Sequence, residues 1–210
     1  MMRYWIAALA IALTATNAQA HELWAERGAN DKLQVWLGEP EKPIPAGGDP
    51  AFPSLKSPNL VPAATVPQTR GPGYIEMDVP PGDVRLWDDN IFAPWDEDGK
   101  KAGGVYYARS GRSETRALMP FEIVPVTAGG TRFTVIFDGK PVAKQAVTLV
   151  SPDRWMLALE TDAQGQVELP LREKGRYIVK AEMKEEGDFT LSSGDVQIVS
   201  RITTTSFVVP

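Results

Sequence analysis

Between residues 38 and 73 proline and glycine recur so densely, from Gly38-Glu39-Pro40 through Gly71-Pro72-Gly73, that no helical period survives. Proline removes a backbone donor and clashes with the preceding turn, so the stretch reads mainly as loop. Around it lie short runs rich in β-branched and aromatic residues: Leu33 to Leu37, Tyr74 to Val79, Val84 to Trp87 and Val105 to Ala108. These read as strands. No amphipathic pattern spans three helical turns; only Ser110 to Leu118 has room for a short helix.

The second half alternates more regularly. Thr131 to Phe137 interleaves apolar and polar residues, and Asp138-Gly139 then supplies a tight turn into Pro141 to Val150. Arg154 to Glu160 leads through Thr161-Asp162-Ala163-Gln164-Gly165 into Gln166 to Leu171, which reads as a second hairpin. Gly175 to Met183 and Val196 to Val209 complete about seven short strands, the pattern of a β-sandwich. The expected class is all-β: an N-terminal strand-and-loop β region over residues 21–119, then an immunoglobulin-like sandwich over 120–210.

Composition removes several function classes. The chain has 210 residues, with 22 Lys and Arg against 27 Asp and Glu, one His and no Cys. An acidic chain without a basic cluster does not grip nucleic acid by its phosphates. One His and no Cys exclude zinc fingers, thiol nucleophiles and disulfide frameworks. No catalytic group is identifiable, so an enzyme is not expected.

The first twenty residues, MMRYWIAALAIALTATNAQA, place Arg3 before an apolar run from Tyr4 to Ala15 and end in Ala18-Gln19-Ala20. That is the pattern of a secretory signal peptide cleaved after Ala20. The run is short for a membrane span, which needs about 20 apolar residues, and none follows later. The expected mature protein is soluble and periplasmic, carrying 21 basic and 27 acidic residues once Arg3 is removed.

Phe137-Asp138-Gly139-Lys140-Pro141-Val142, Thr161-Asp162-Ala163-Gln164-Gly165-Gln166-Val167 and Gly175-Arg176-Tyr177-Ile178-Val179-Lys180-Ala181 together resemble secreted immunoglobulin-like and transthyretin-like modules. With His21-Glu22-Leu23-Trp24 behind the signal and Leu118-Met119-Pro120-Phe121-Glu122-Ile123-Val124-Pro125 at the junction, the mature chain resembles the secreted family described as the periplasmic component of cobalt or nickel transport systems. The resemblance implies an accessory role in transition-metal uptake beside an inner- or outer-membrane metal transporter. Members often carry a His shortly after the strand that here ends Val179-Lys180-Ala181, where this chain has Glu182-Met183.

Cleavage after Ala20 would give His21 both a free α-amine and an imidazole, a bidentate chelate whose ligand type favours nickel, cobalt or copper. The amine has a reference pKa of about 7.7 to 8.0, so binding would strengthen as pH rises. Two nitrogens do not complete a coordination sphere. Glu22 is the first candidate for a further ligand, with Glu26 and an acidic segment elsewhere as alternatives. The contrasting expectation is a non-catalytic structural or carbohydrate-contacting β-sandwich module without metal, in which an exposed row among Trp24, Trp36, Trp87, Trp95 and Trp155 stacks on sugar rings. Residues 86–99, with four Asp, one Glu and two Trp, form the most site-like loop, though without the ligand spacing of a calcium loop. Met77, Met119, Met156 and Met183 read as core fillers.

Overall fold

In a computed structural model that describes residues 21–28 and 30–210, the chain folds as an all-β protein of three packed sheets. The signal peptide expected over 1–20, with its cleavage site, lies outside the described residues. The central sheet has eight strands in the order β13 (Met156–Glu160), β12 (Ala146–Val150), β15 (Gly175–Leu191), β16 (Gly194–Val209), β8 (Lys100–Ser110), β6 (Val84–Asp88) and β3 (Asn59–Val61), with β7 (Trp95–Glu97) also on β8. A second sheet runs β1 (Glu22–Arg27), β2 (Leu33–Gly38), β5 (Tyr74–Met77), β4 (Gln68–Arg70). The third joins β9 (Phe121–Pro125), β10 (Arg132–Phe137), β11 (Lys140–Pro141) and β14 (Gln166–Glu168).

Two-residue periodicity explains the layering. On β8, Val105 and Tyr107 pack toward the third sheet with Phe121, Ile123, Phe133 and Tyr177, while Tyr106 and Ala108 pack toward the second with Leu23, Leu33, Val35 and Ile75. One strand thus feeds two cores. Tyr177 anchors the third layer further, its hydroxyl accepting the backbone N–H groups of Arg172 and Glu173 at 3.2 and 2.9 Å, in the manner of a tyrosine corner.

The long strand β16 carries a polar run, Thr203 to Ser206, that is nonetheless buried. Its hydroxyls alternate as the strand does. Thr204 Oγ1 donates to the Leu23 carbonyl at 2.7 Å and Ser206 Oγ to the Ala25 carbonyl, both on edge strand β1. Thr205 Oγ1 donates on the other face to the Ile123 carbonyl of edge strand β9 at 2.7 Å. Edge-strand carbonyls with no ladder partner are thereby satisfied inside the protein. Thr204→Val keeps the shape and orphans the Leu23 carbonyl, so urea unfolding is expected to show a loss of about 1–3 kcal/mol. Thr203→Val is the control: Thr203 Oγ1 is buried and unpartnered, and its removal is expected to cost nothing.

A buried ion network joins β6, β8 and β9. Glu122 Oε1 accepts Arg85 Nε at 2.6 Å and Arg109 Nη1 at 3.0 Å, and its Oε2 accepts the backbone N–H groups of Leu118 and Met119 at 2.7 and 3.0 Å. Glu122 and Arg109 are wholly inaccessible to solvent. The Leu118 to Pro125 motif is therefore a structural joint: its acid neutralises two guanidinium groups and caps its own turn.

Several sequence expectations need correction. Ser110 to Leu118 is not helical; it is a bend held by the Asp83 carboxylate on the backbone N–H groups of Ser113 and Glu114 and by Glu122 on Leu118. Asp138-Gly139 does form a tight turn, with φ of 47° and 76°, but the strand it opens is only Lys140–Pro141. The chain then crosses to the central sheet, where β12 pairs with β13 and β15. Arg154 to Glu160 and Gln166 to Leu171 likewise part company: β13 lies in the central sheet and β14 pairs with β10 in the third. The Pro/Gly-rich stretch holds two three-residue strands, β3 and β4, and a 3-10 turn at Phe52–Ser54. Across position 119–120 one sheet is continuous, because β16 lies parallel to β8 from Ile198↔Ala102 to Ser206↔Ser110.

Candidate metal-binding site

Strand β1 starts at Glu22, directly after His21, and pairs along its length with β2 from Glu22↔Gly38 to Arg27↔Leu33. Leu23 and Ala25 face the core, which fixes the alternation and turns Glu22 toward β15. His21 is set from the loop after β2. There Gly48 and Gly73 meet backbone to backbone at φ of +87° and +91°; a Cβ on Gly48 would fall 2.2 Å from the Gly73 Cα. The contact brings Asp49 back over the start of β1.

The Asp49 carboxylate lies 2.9 Å from His21 Nε2 through Oδ1, which also accepts the backbone N–H of Ala51 at 2.7 Å. A carboxylate only accepts, so Nε2 carries the ring proton in the neutral imidazole and Nδ1 presents its lone pair. That Nδ1 is buried and has no partner. The carboxylate and histidine stand as an orienting group and a metal ligand commonly do. Phe92 covers the ring at 5.8 Å between centroids.

Glu22 is 8% exposed. Its Oε1 takes Lys180 Nζ, while Oε2 is buried without a partner. Burial pushes the Glu22 carboxyl up to about 7, with repulsion from Glu41 and Glu39 added and the attraction of Lys180 opposing. Lys180 also reaches Glu41 Oε2 at 3.2 Å. Desolvation acts to lower the Lys180 ammonium, but the two carboxylates outweigh it and hold its pKa above the usual lysine value. His21, Glu22, Thr148, Lys180 and Glu182 line one cavity of about 250 Å³. Both orphaned atoms, His21 Nδ1 and Glu22 Oε2, belong to residues of that wall.

The two residues singled out from sequence as ligands thus share one cavity, and Glu26 does not join them. It pairs with Arg176 at 3.5 Å, at a separate open cleft of about 450 Å³. Among the described residues, no orphaned buried side-chain atom lies on that cleft, and its Arg27 is taken up by the carbonyls of Asp31, Val79, Pro80 and Gly82. Sequence reasoning missed Asp49, Lys180 and Glu41, because nothing local ties them to His21.

The acidic loop over 86–99 engages the protein itself. Asp88 accepts the Asn90 N–H at 2.7 Å, Asp89 the Ser192 N–H at 3.1 Å, and Glu97 takes Lys184 at 2.6 Å, while Asp98-Gly99 turn β7 into β8. It clamps the tip of the β15–β16 hairpin. Of the tryptophans, Trp24 is buried and stacked on Trp36, Trp87 and Trp155 pack against the main core, and the Trp95 indole donates to Glu97. Met77 and Met119 are core residues, Met183 packs at the core margin, and Met156 is exposed on β13.

Fold and cavity define an all-β, three-sheet protein that holds an imidazole and a carboxylate, each with a free buried atom, at the start of its first strand. The chain belongs to the family of the domain of unknown function DUF4198, whose model matches residues 56–185. The match takes in Lys180 and Glu182; His21 and Glu22 precede it. No curated protein and no solved structure matches the chain. Among the described residues no helix is long and apolar enough to cross a membrane, and no group of three His, Cys, Asp or Glu side chains is placed to hold a metal ion.

Proposed function

We propose that the mature protein is a periplasmic accessory of transition-metal uptake, binding a divalent ion of the nickel or cobalt type, or copper, through His21 and Glu22. The observation that carries this reading is the pair of buried, unpartnered atoms, His21 Nδ1 and Glu22 Oε2, on adjacent residues at one cavity. A buried polar atom without a partner is costly, and a metal ion relieves both at once. Cleavage after Ala20 supplies a third donor, the α-amine of His21, on the same residue as Nδ1. Asp49 then orients the imidazole, Glu22 neutralises the ion, and the sheets act as scaffold that offers the loaded site to a membrane transporter. The chain performs no catalysis in this role.

The test is calorimetric titration of Ni²⁺, Co²⁺ and Cu²⁺ into exported protein whose mass confirms a start at His21. The same titration is run on a version with one additional Ala before His21, which converts the amine to an amide. One-to-one binding that weakens at least tenfold with the additional residue supports the chelate. Absent or equal binding overturns it and favours a structural β module without metal.

A further inference from the structure

A sheet edge presents N–H and C=O groups without ladder partners, and proteins blunt such edges with proline, charge or a covering segment. Most edges here are blunted. The carbonyls of β1 and β9 are taken by the hydroxyls of β16. At one end of the central sheet β3 has three residues, set between Pro58 and Pro62. Where β15 runs past β12 it carries Glu182, Lys184, Glu186 and Asp188. At the other end of the central sheet, β13 has neither proline nor bulge, and its one charge, Glu160, is its last residue. We propose that β13 is a homodimer interface, pairing antiparallel with β13 of a second copy of this chain and doubling the central sheet.

The backbone of β13 is already turned for this. Ser151 N–H donates to the Trp155 carbonyl and Thr161 N–H to the Gln145 carbonyl, both at 3.0 Å. Bonded residues alternate along an antiparallel strand, so Trp155, Leu157, Leu159 and Thr161 spend their backbone groups on β12. Met156, Ala158 and Glu160 point theirs outward, and among the described residues no strand pairs with that side. Met156 is 56% exposed, and Trp155, Leu157 and Leu159 are only partly buried against the main core.

The occupant follows from the strand's complementarity to itself. About a two-fold axis through Ala158, Met156 of one copy faces Glu160 of the other and Ala158 faces Ala158, with N–H···O bonds exchanged at each position. Leu157 then faces Leu159 on the inner side, so the leucine flanks left open in each copy close over one another. On the outer side Glu160 of each copy lies diagonal to Arg154 of the other. Both residues are exposed and neither has an ion-pair partner among the described residues. Such a contact is isologous and consumes the edge of both copies, so assembly stops at two. It also relates the two cavities. Thr148 pairs with both Lys180 and Ala158, which puts Ala158 on the face of the sheet where the His21 and Glu22 cavity opens. Across three strand spacings the two Thr148 residues stand about 14 Å apart, on one face of a continuous sheet.

The inference does not depend on a metal, and its test is sedimentation velocity and native mass spectrometry of the mature protein across the micromolar range. The expected result is a monomer–dimer equilibrium. Ala158→Pro removes an outward N–H that β12 does not use, so the variant is expected to melt as the parent does and to remain monomeric. Arg154→Glu is expected to weaken the dimer about tenfold by setting like charges together at both ends, and adding Glu160→Arg to the same chain is expected to restore it. A parent that stays monomeric throughout, or a dimer that persists unchanged in a folded Ala158→Pro variant, overturns the proposal; a double variant as weak as Arg154→Glu overturns the register.

Discussion

Glu122→Gln is expected to lower the unfolding free energy by about 3–5 kcal/mol, the usual cost of removing one partner from a buried ion network. The reason lies in what remains. Arg85 and Arg109 are 2% and 0% exposed, so their charges stay inside the protein with the shared carboxylate gone. An amide in place of Glu122 also offers one acceptor where two oxygens now serve four donors, setting an N–H₂ against the backbone N–H groups of Leu118 and Met119. Glu114 and Asp83 still pair with Arg85 and Arg109 and keep the loss from being larger. For a chain of this length the midpoint of thermal unfolding should fall by roughly 6–20 °C. Glu168→Gln is the comparison, because Glu168 faces Arg132 with both side chains about half exposed, and such pairs contribute about 0–1 kcal/mol. Equal melting shifts in the two variants would contradict the account of the joint.

Glu22→Gln should act oppositely on stability and on binding. In the folded chain burial holds the Glu22 carboxyl at about 7 against an ordinary value of 4.5, so between those pH values the folded state keeps a proton that the unfolded state has released. Stability from this group is therefore present below about pH 4.5 and is lost as pH rises toward 7, by an amount on the order of 3 kcal/mol. Glutamine removes that slope. The metal-free variant is expected to be no less stable than the parent at pH 8, with Lys180 still paired to Glu41. Under the proposed function the same variant binds Ni²⁺ at least tenfold more weakly, and the parent's affinity rises across pH 6 to 8 as the carboxyl and the amine lose their protons. Unfolding free energies at pH 5 and pH 8 for both proteins check the first half, and calorimetry at the same two pH values checks the second. A parent slope that survives in the variant would remove Glu22 as its source.

The site was legible from the sequence only in its chemistry. A histidine that becomes a first residue is visible as such, and a neighbouring carboxylate is an obvious companion. The burial that raises Glu22 and the carboxylate that orients His21 were not visible, because Lys180 stands 158 residues from Glu22 and Asp49 stands 28 from His21. The acidic loop, which lacks the ligand spacing of a calcium loop, makes the complementary point. Its carboxylates look like free ligands in a one-dimensional reading, yet partners such as Ser192 and Lys184 reach them from a hairpin about a hundred residues away.

By itself the sequence determined that the chain is all-β, since proline and glycine forbid long helices and two-residue alternation describes strands with one inward face. It also placed the Asp138-Gly139 turn, which two residues at positive φ require. Tertiary structure alone decided which sheet each strand joins, why four consecutive hydroxyl residues of β16 belong inside, and why Glu122 is a joint between halves. Alternation says that a residue points inward but not which strand it meets there. A threonine or glutamate becomes a core residue only when a carbonyl or guanidinium from a distant segment occupies the space opposite it.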